Sequence, residues 1–252
     1  MDSTHSPQVK KTFKIHRQDP EKNDGKPYVQ KFEVDLDGGT SVLLAFQHIR
    51  QTQDPSLAIR SSCRAGVCGS CSILINGRPR LACKSLLRDF KGKEITLEPL
   101  PTYPAVKDLI VDLRQLFADY RKIEPWLKTD QKSEDGKEYL QSIEERDAIE
   151  PYVNCITCGV CQGGCPAREK ASEEFMGPML MAKASRWVFD SRDTATIKRL
   201  GQIRRPGGTG ECDQFSQCTK LCPMEIPASA GLLKMRHKKV IPLHTDQKDA
   251  AC

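Results

Sequence analysis

The N-terminal part of the chain alternates apolar and polar residues as strands do. Lys11–Arg17 and Tyr28–Asp35 each show a period of about two residues, and the turn-rich segment Asp19–Pro27 lies between them. This arrangement predicts a hairpin. Ser41–Gln53 instead places its apolar residues at helical spacing and predicts an amphipathic helix.

A second group of strands follows a loop rich in glycine and cysteine, Ser61–Ser70. Cys71–Ile75 and Arg80–Cys83 flank Asn76-Gly77, a dipeptide that favours a two-residue hairpin turn. Ile95–Leu100 adds one more strand. Strand pair, helix, loop and hairpin in this order predict a β-grasp fold.

The rest of the chain has helical spacing and begins after the proline-containing hinge Leu100–Pro104. Lys128–Lys137 is charged and irregular, and it predicts a surface loop. Three segments carry the clearest helical pattern: Val111–Ile123, Met176–Phe189 and Pro227–Lys238. We therefore predict an α+β chain, with a β-grasp domain over 1–104 and an all-α domain over 105–252.

Composition adds that the chain must depend on more than apolar burial. Only 38% of its 252 residues are hydrophobic and 29% are charged, so bound metal is an expected source of folding free energy. No apolar run approaches the ~18 residues of a membrane helix. The polar opening segment Met1–Pro27 resembles neither a signal peptide nor a transit peptide, and we expect a cytosol-facing protein.

Twelve cysteines in such a chain point to metal binding, because a reducing compartment does not maintain a disulfide framework. Metal-bound cysteines are thiolates. The formal net charge of +6, which counts cysteine as neutral, therefore overstates the positive charge. For this reason we expect no nucleic-acid partner.

The first cysteine constellation has the spacing of a plant-type [2Fe–2S] site: Cys63-x4-Cys68-x2-Cys71 and, after eleven more residues, Cys83. Three thiolates must converge from one short loop, and Gly66 and Gly69 allow its backbone to bend closely around the cluster. A zinc site is the alternative. Zinc favours two Cys-x2-Cys pairs, whereas this segment has one.

The second constellation is a pair of bacterial ferredoxin runs, in which the fourth cysteine of each run binds the other cluster. The first run (155–166) is Cys155-x2-Cys158-x2-Cys161-x3-Cys165-Pro166, and the second (212–223) holds Cys212, Cys218 and Cys222-Pro223 with Phe215 at the second ligand position. By this exchange a [4Fe–4S] cluster takes Cys155, Cys158, Cys161 and Cys222. The remaining set is Cys165, Cys212 and Cys218.

Three thiolates indicate a [3Fe–4S] cluster, because phenylalanine cannot hold the fourth iron. A fourth iron held by water or another ligand is one alternative, and structural zinc in both runs is another. These assignments use eleven cysteines and leave Cys252, which we interpret as a free thiol without a role.

Three clusters in two adjacent domains indicate an electron relay rather than an active site. The chain has no glycine-rich dinucleotide loop and no serine–histidine–aspartate grouping, so substrate chemistry belongs to a partner. The histidines are scattered and more consistent with surface or structural roles: His5, His16, His48, His237 and His244. The basic stretch Lys234–Lys239 suits either an anionic membrane surface or a helix C-terminus.

The sequence resembles the iron–sulfur subunits of succinate dehydrogenases and fumarate reductases, the succinate:quinone oxidoreductase family. The similarity covers most of Lys11–Lys239 and includes all eleven ligands. Its motifs are Ser62–Cys71, the segment from Asn76-Gly77 to Leu81-Ala82-Cys83, Lys107–Asp112 and Phe189–Asp193.

The resemblance implies a flavoprotein partner with covalent FAD that oxidises succinate or reduces fumarate. It implies that electrons pass through [2Fe–2S], [4Fe–4S] and [3Fe–4S] to a quinone at membrane-anchor subunits, with or without haem. The N-terminal domain would face the flavoprotein. The complex would lie on the cytoplasmic face of the plasma membrane, or on the matrix side of the mitochondrial inner membrane if a presequence was removed.

The sequence departs from the family at the quinone end. Ubiquinone-using members carry a tryptophan shortly after the first Cys-Pro and a histidine after the first cysteine of the second run. Here Ala167–Lys170 has no tryptophan, and Asp213 follows Cys212. Pro166, Lys170 and Asp213 are quinone-proximal candidates by position only, with plain surface residues as the alternative. We expect a menaquinone-type or divergent site.

Two other interpretations stay open. The chain could be the iron–sulfur subunit of another flavoprotein oxidoreductase, although such subunits usually carry further cysteine-rich domains. It could also be a free soluble ferredoxin, which its size and helical second half disfavour.

Overall fold

The computed structural model describes residues 7–21, 25–130, 136–170 and 175–239. Several sequence predictions fall partly or wholly outside these ranges: the start of Met1–Pro27, the middle of the Asp19–Pro27 turn, the middle of the Lys128–Lys137 loop, and Cys252.

The N-terminal half is a five-stranded mixed sheet covered by one helix, α1 (Val42–Thr52). The strands are β1 (Gln8–Arg17), β2 (Tyr28–Asp37), β3 (Ser72–Ile75), β4 (Arg78–Leu81) and β5 (Glu94–Glu98). Their order in the sheet is β2-β1-β5-β3-β4, in which β1 pairs antiparallel with β2 and parallel with β5. This arrangement is a β-grasp, and it confirms the predicted fold.

Local sequence accounts for these elements. Alternate residues of β1, including Phe13 and Ile15, are fully buried against α1 and the rest of the apolar core. Ser41 caps α1, because its Oγ accepts a hydrogen bond from the Leu44 N–H at 3.2 Å. Asn76-Gly77 turns the β3–β4 hairpin with both residues at positive φ (50° and 72°), as a two-residue turn requires.

The second half is helical after a short ribbon of β6 (Ala105–Lys107) and β7 (Ile110–Val111). Its helices are α2 (Arg114–Lys122), α3 (Ile143–Val153), α4 (Val160–Gly163), α5 (Pro166–Lys170), α6 (Pro178–Val188), α7 (Thr196–Arg204), α8 (Gln217–Leu221) and α9 (Ala228–His237). None of the described helices is both long and apolar enough to cross a membrane. The predicted helix 111–123 begins later, at Arg114, because Val111 is buried in the ribbon.

A buried arginine joins α7 to the C-terminal end of α2. Arg199, 2% exposed, pairs with Asp193 at 2.7 Å and donates to the carbonyls of Glu124 and Trp126, both at 2.7 Å. The carbonyls that follow a helix lack partners within it. Arg199 therefore satisfies these groups and fixes α7 against the segment after α2.

Candidate iron–sulfur cluster sites

The first cysteine loop directs backbone N–H groups at sulfur. The N–H groups of Ala65 and Val67 both lie 3.4 Å from the Cys63 Sγ. Arg64 and Gly66 have positive φ (57° and 77°), and this left-handed geometry bends the loop around Cys63. Hydrogen bonds of this kind stabilise negative charge on sulfur and tune cluster potential.

The other cysteines of this loop have contrasting environments. A contact with the Ser70 hydroxyl at 3.1 Å, together with nearby N–H groups, lowers the pKa of Cys68 to about 6. Burial raises the pKa of Cys71 to about 12. Cys83 was expected on the far strand of the hairpin, but β4 ends at Leu81 and Cys83 lies in the 3₁₀ turn that follows. This turn brings Cys83 beside Cys71, and the Cys83 thiol interacts with the Cys71 thiol.

Two cavities in the second half are lined by different cysteine sets. The first cavity is lined by Cys155, Cys158, Cys161, Cys218 and Cys222. The second is lined by Cys165, Cys212 and Cys218. Cys222 thus lies with the first run and Cys165 with the second, as the ligand exchange requires, while Cys218 lies between the two cavities.

The two runs share one backbone path. Thr157 and Gly159 have positive φ in the first run (57° and 77°), and Gln214 and Ser216 have positive φ at the equivalent positions of the second (61° and 55°). In both runs a short helix, α4 or α8, then carries the third cysteine. The repeat in sequence is therefore also a repeat in conformation.

Each run is also held by a basic side chain from a longer helix, a feature that the sequence analysis missed. Lys183 of α6 donates to the Cys155 carbonyl at 2.6 Å, and Arg236 of α9 donates to the Cys212 carbonyl at 3.2 Å. Both cations stand beside sites that would hold anionic clusters. No spacing rule would have revealed these contacts.

Arg236 belongs to the basic stretch 234–239, whose role the sequence left open. Arg204 donates to the carbonyls of Met235 and Lys238, at 2.6 and 2.5 Å, and so satisfies the C-terminal end of α9. The Lys238 ammonium lies 5.5 Å from the centre of the Phe189 ring. Arg236 and Lys238 of this stretch therefore make contacts within the fold.

The donors of both cavities suit iron–sulfur clusters. Burial raises the pKa of Cys158 to about 11 and that of Cys161 well above its usual range, so both thiols must lose a proton when metal binds. Across the described ranges no three His, Cys, Asp or Glu side chains are arranged around one metal ion. In a [4Fe–4S] or [3Fe–4S] cluster each cysteine holds its own iron, and the sulfurs need not converge on one point.

The quinone-proximal candidates lie around Phe215. Pro166, Asp213 and Phe215 line the second cavity, and the Phe215 side chain is half-exposed. The Lys170 ammonium lies 5.5 Å from the centre of the Phe215 ring. The structure thus brings the three candidates to one face. Pro166 also lines a wider cleft, about 740 Å³, between the β3–β4 hairpin and α5.

Comparison with known families assigns a cluster type to each half. A model described as a 2Fe-2S iron-sulfur cluster binding domain matches residues 12–118. A model described as a 4Fe-4S dicluster domain matches residues 154–227. The chain is also 39% identical, over 236 residues, to succinate dehydrogenase [ubiquinone] iron-sulfur subunit 3, mitochondrial, of Arabidopsis thaliana, an alignment that covers 93% of this chain and 76% of the relative.

The chain belongs to the family of succinate dehydrogenase iron–sulfur subunits. The cofactors of this family are [2Fe–2S], [4Fe–4S] and [3Fe–4S] clusters, in agreement with the sequence prediction.

Solved structures agree with the family assignment. A chain of the Mycobacterium smegmatis Sdh1 complex in the apo form superimposes with a TM-score of 0.82 at 30% identity, covering 91% of this chain and 95% of that one. A hypothetical protein from Helicobacter pylori shares the fold, with a TM-score of 0.56 at 16% identity. That match covers 96% of this chain and 42% of the other.

Proposed function

We propose that this family member is the electron-transfer subunit of a succinate dehydrogenase. It relays electrons from a FAD-containing flavoprotein subunit to a quinone bound at membrane-anchor subunits. Succinate oxidation takes place on the flavoprotein, and the same relay would serve fumarate reduction in the opposite direction. The observation that carries the proposal is the pair of cysteine-lined cavities with exchanged fourth cysteines.

The ligand assignment is part of this proposal. The [2Fe–2S] cluster would be held by Cys63, Cys68, Cys71 and Cys83, the [4Fe–4S] cluster by Cys155, Cys158, Cys161 and Cys222, and the [3Fe–4S] cluster by Cys165, Cys212 and Cys218. Support comes from the hydrogen bonds around Cys63 and Cys68 and from the two cavity linings. The division into domains 1–104 and 105–252 is proposed with it.

Bound clusters supply one-electron chemistry, and the chain's residues supply ligands, orientation and a dry environment. The first cavity is closed by apolar side chains, among them Met179, Ala182 and Ile226. Such packing limits water near a cluster, which influences its potential. Lys183 and Arg236 fix the first cysteine of each run.

We place the quinone near Pro166, Lys170 and Asp213 and propose a menaquinone-type or divergent site. The support is the face that these residues form around Phe215 and the absence of tryptophan from Ala167–Lys170. The Arabidopsis relative is named for ubiquinone, and that name describes the relative's own substrate.

This subunit would be peripheral to the membrane and attached to it through the anchor subunits. We propose the cytoplasmic face of the plasma membrane, or the matrix side of the mitochondrial inner membrane if a longer precursor is processed. Fractionation with protease protection of intact cells or mitochondria would test this sidedness.

The test of the proposed function is isolation of the native complex. We expect a co-purifying flavoprotein and membrane anchor, succinate–quinone activity, and electron paramagnetic resonance (EPR) signals of three clusters, with a [3Fe–4S] signal in the oxidised state. A chain that runs alone near 28.2 kDa would contradict the proposal. Efficient reduction of ubiquinone analogues but not of menaquinone analogues would contradict the quinone assignment alone.

A further inference from the structure

The first cysteine loop touches the first ferredoxin run through a glycine. Gly69 lies between Cys68 and Cys71, is buried, and has a φ of 73°. A Cβ atom at position 69 would lie 2.7 Å from both the Cα and the Cβ of Cys158, and 3.1 Å from the Ile156 carbonyl oxygen. Cβ atoms essentially never approach other atoms within 3.0 Å. No side chain therefore fits between the two loops.

The surroundings hold this contact in place. The Ser72 hydroxyl donates to the Gly69 carbonyl at 2.8 Å. From the other half of the chain, Val160 is fully buried in the core of the N-terminal sheet, and Ile156 packs against the same core. Because both sides are anchored, the loops cannot separate without disturbing that core.

We propose that Gly69 is a positioning residue for electron transfer between the two halves. The absence of a side chain lets the segment that holds Cys68 and Cys71 touch Cys158, and so gives one electron a direct route from the [2Fe–2S] centre to the [4Fe–4S] centre. The transfer oxidises the first centre and reduces the second by one electron, and no bond forms or breaks. This inference rests on the proposed ligand assignment.

The test uses the intact complex carrying Gly69→Ala. Electron-transfer rates fall steeply with distance through protein, and so does the magnetic interaction between two reduced clusters. We expect the EPR signal of reduced [2Fe–2S] to saturate at clearly lower microwave power when both centres are reduced. We also expect [3Fe–4S] reduction after mixing with succinate to slow at least severalfold.

Gly66→Ala is the matched control. Gly66 lies in the same loop and has a similar φ (77°), so alanine imposes the same backbone strain. An added Cβ there would lie 2.7 Å from the Cδ and 2.8 Å from the Cγ of Lys84, a clash within the N-terminal half rather than between the two halves. This variant shows how far backbone strain in the cluster loop alone shifts the two readouts, and we expect Gly69→Ala to shift both by clearly more.

Ser72→Ala is a second variant that introduces no clash and no backbone strain. Loss of its hydrogen bond to the Gly69 carbonyl, and of its contact with the Cys158 thiol, should shift both readouts in the same direction by less. The proposal would be overturned if Gly69→Ala and Ser72→Ala both kept their full cluster content and behaved as the wild type in both readouts. It would also be overturned by loss of the [2Fe–2S] signal in Gly69→Ala combined with a wild-type Ser72→Ala, because the glycine would then serve only its own loop. Failure of the proposed function would instead appear as missing cluster signals in the wild-type complex.

Discussion

The two ferredoxin runs have the same backbone conformation and differ in one ligand. Both have residues of positive φ at equivalent positions and a helix that carries the third cysteine. At the second ligand position one run has Cys158 and the other has Phe215, whose ring is half-exposed at the edge of its cavity. The comparison teaches that the fold of the run does not depend on that ligand. A cluster can therefore change type, and with it potential, while its scaffold stays the same.

The largest expected effect comes from breaking the exchange between the runs. Cys222→Ala should abolish the [4Fe–4S] signal although the other three ligands lie in the first run. Cys165→Ala should abolish the [3Fe–4S] signal and leave [4Fe–4S] in place. Each variant is the control for the other, and EPR with iron analysis measures both. If each mutation removed the cluster of its own run, the exchanged assignment would be wrong.

A smaller effect should follow from making the runs alike. Phe215→Cys supplies a fourth thiolate, and we expect a second [4Fe–4S] cluster with a lower potential, because loss of the fourth iron tends to raise the potential. Phe215→Ser is the matched control, since it removes the ring and its contact with Lys170 without adding a thiol. Loss of that contact lowers stability by about 0.5–1 kcal/mol in both variants. Retention of the [3Fe–4S] signal in Phe215→Cys would contradict the argument from ligand number.

The smallest effects concern Gly159 and Ser216, the residues of positive φ that follow the second ligand position in the two runs. Gly159→Ser should lower stability by about 1 kcal/mol, because a non-glycine residue at positive φ is strained. An added Cβ makes only ordinary contacts there, 3.7 Å from the Leu100 Cδ1. Ser216→Gly should raise stability by about 0.5 kcal/mol, since relief of strain is offset by a more flexible unfolded chain.

The measurement is the temperature at which cluster absorbance is lost, compared at one scan rate because the loss is irreversible. Equal shifts of the same sign in both variants would show that the two backbones are not equivalent.

The sequence predicted a domain with two clusters in the second half, because the cysteine spacing within each run is a local feature. It also predicted the β3–β4 hairpin, since Asn76-Gly77 encodes its turn locally. The helix Ile143–Val153 was missed because it is polar and contains Pro151, although Ser142 and Glu145 form a capping box at its start. This capping box is the local signal in the sequence that indicates the helix.

Other features depend on residues far apart in the chain and could not be read from the sequence. Lys183 reaches Cys155 only because α6 packs beside the first run. Gly69 has an evident role in its own loop, but its contact with Cys158 exists only after the two halves dock. Pairings of this kind require the tertiary structure.

The exchange of cysteines also has a consequence for the order of biosynthesis. All four proposed ligands of the first cluster lie within Cys63–Cys83, so the set is complete before the helical half has been synthesised. Neither cluster of the second half can be completed until the second run has been synthesised. A chain interrupted before Cys212 would therefore hold a complete ligand set for one of the three clusters, whereas without the exchange it would hold two complete sets.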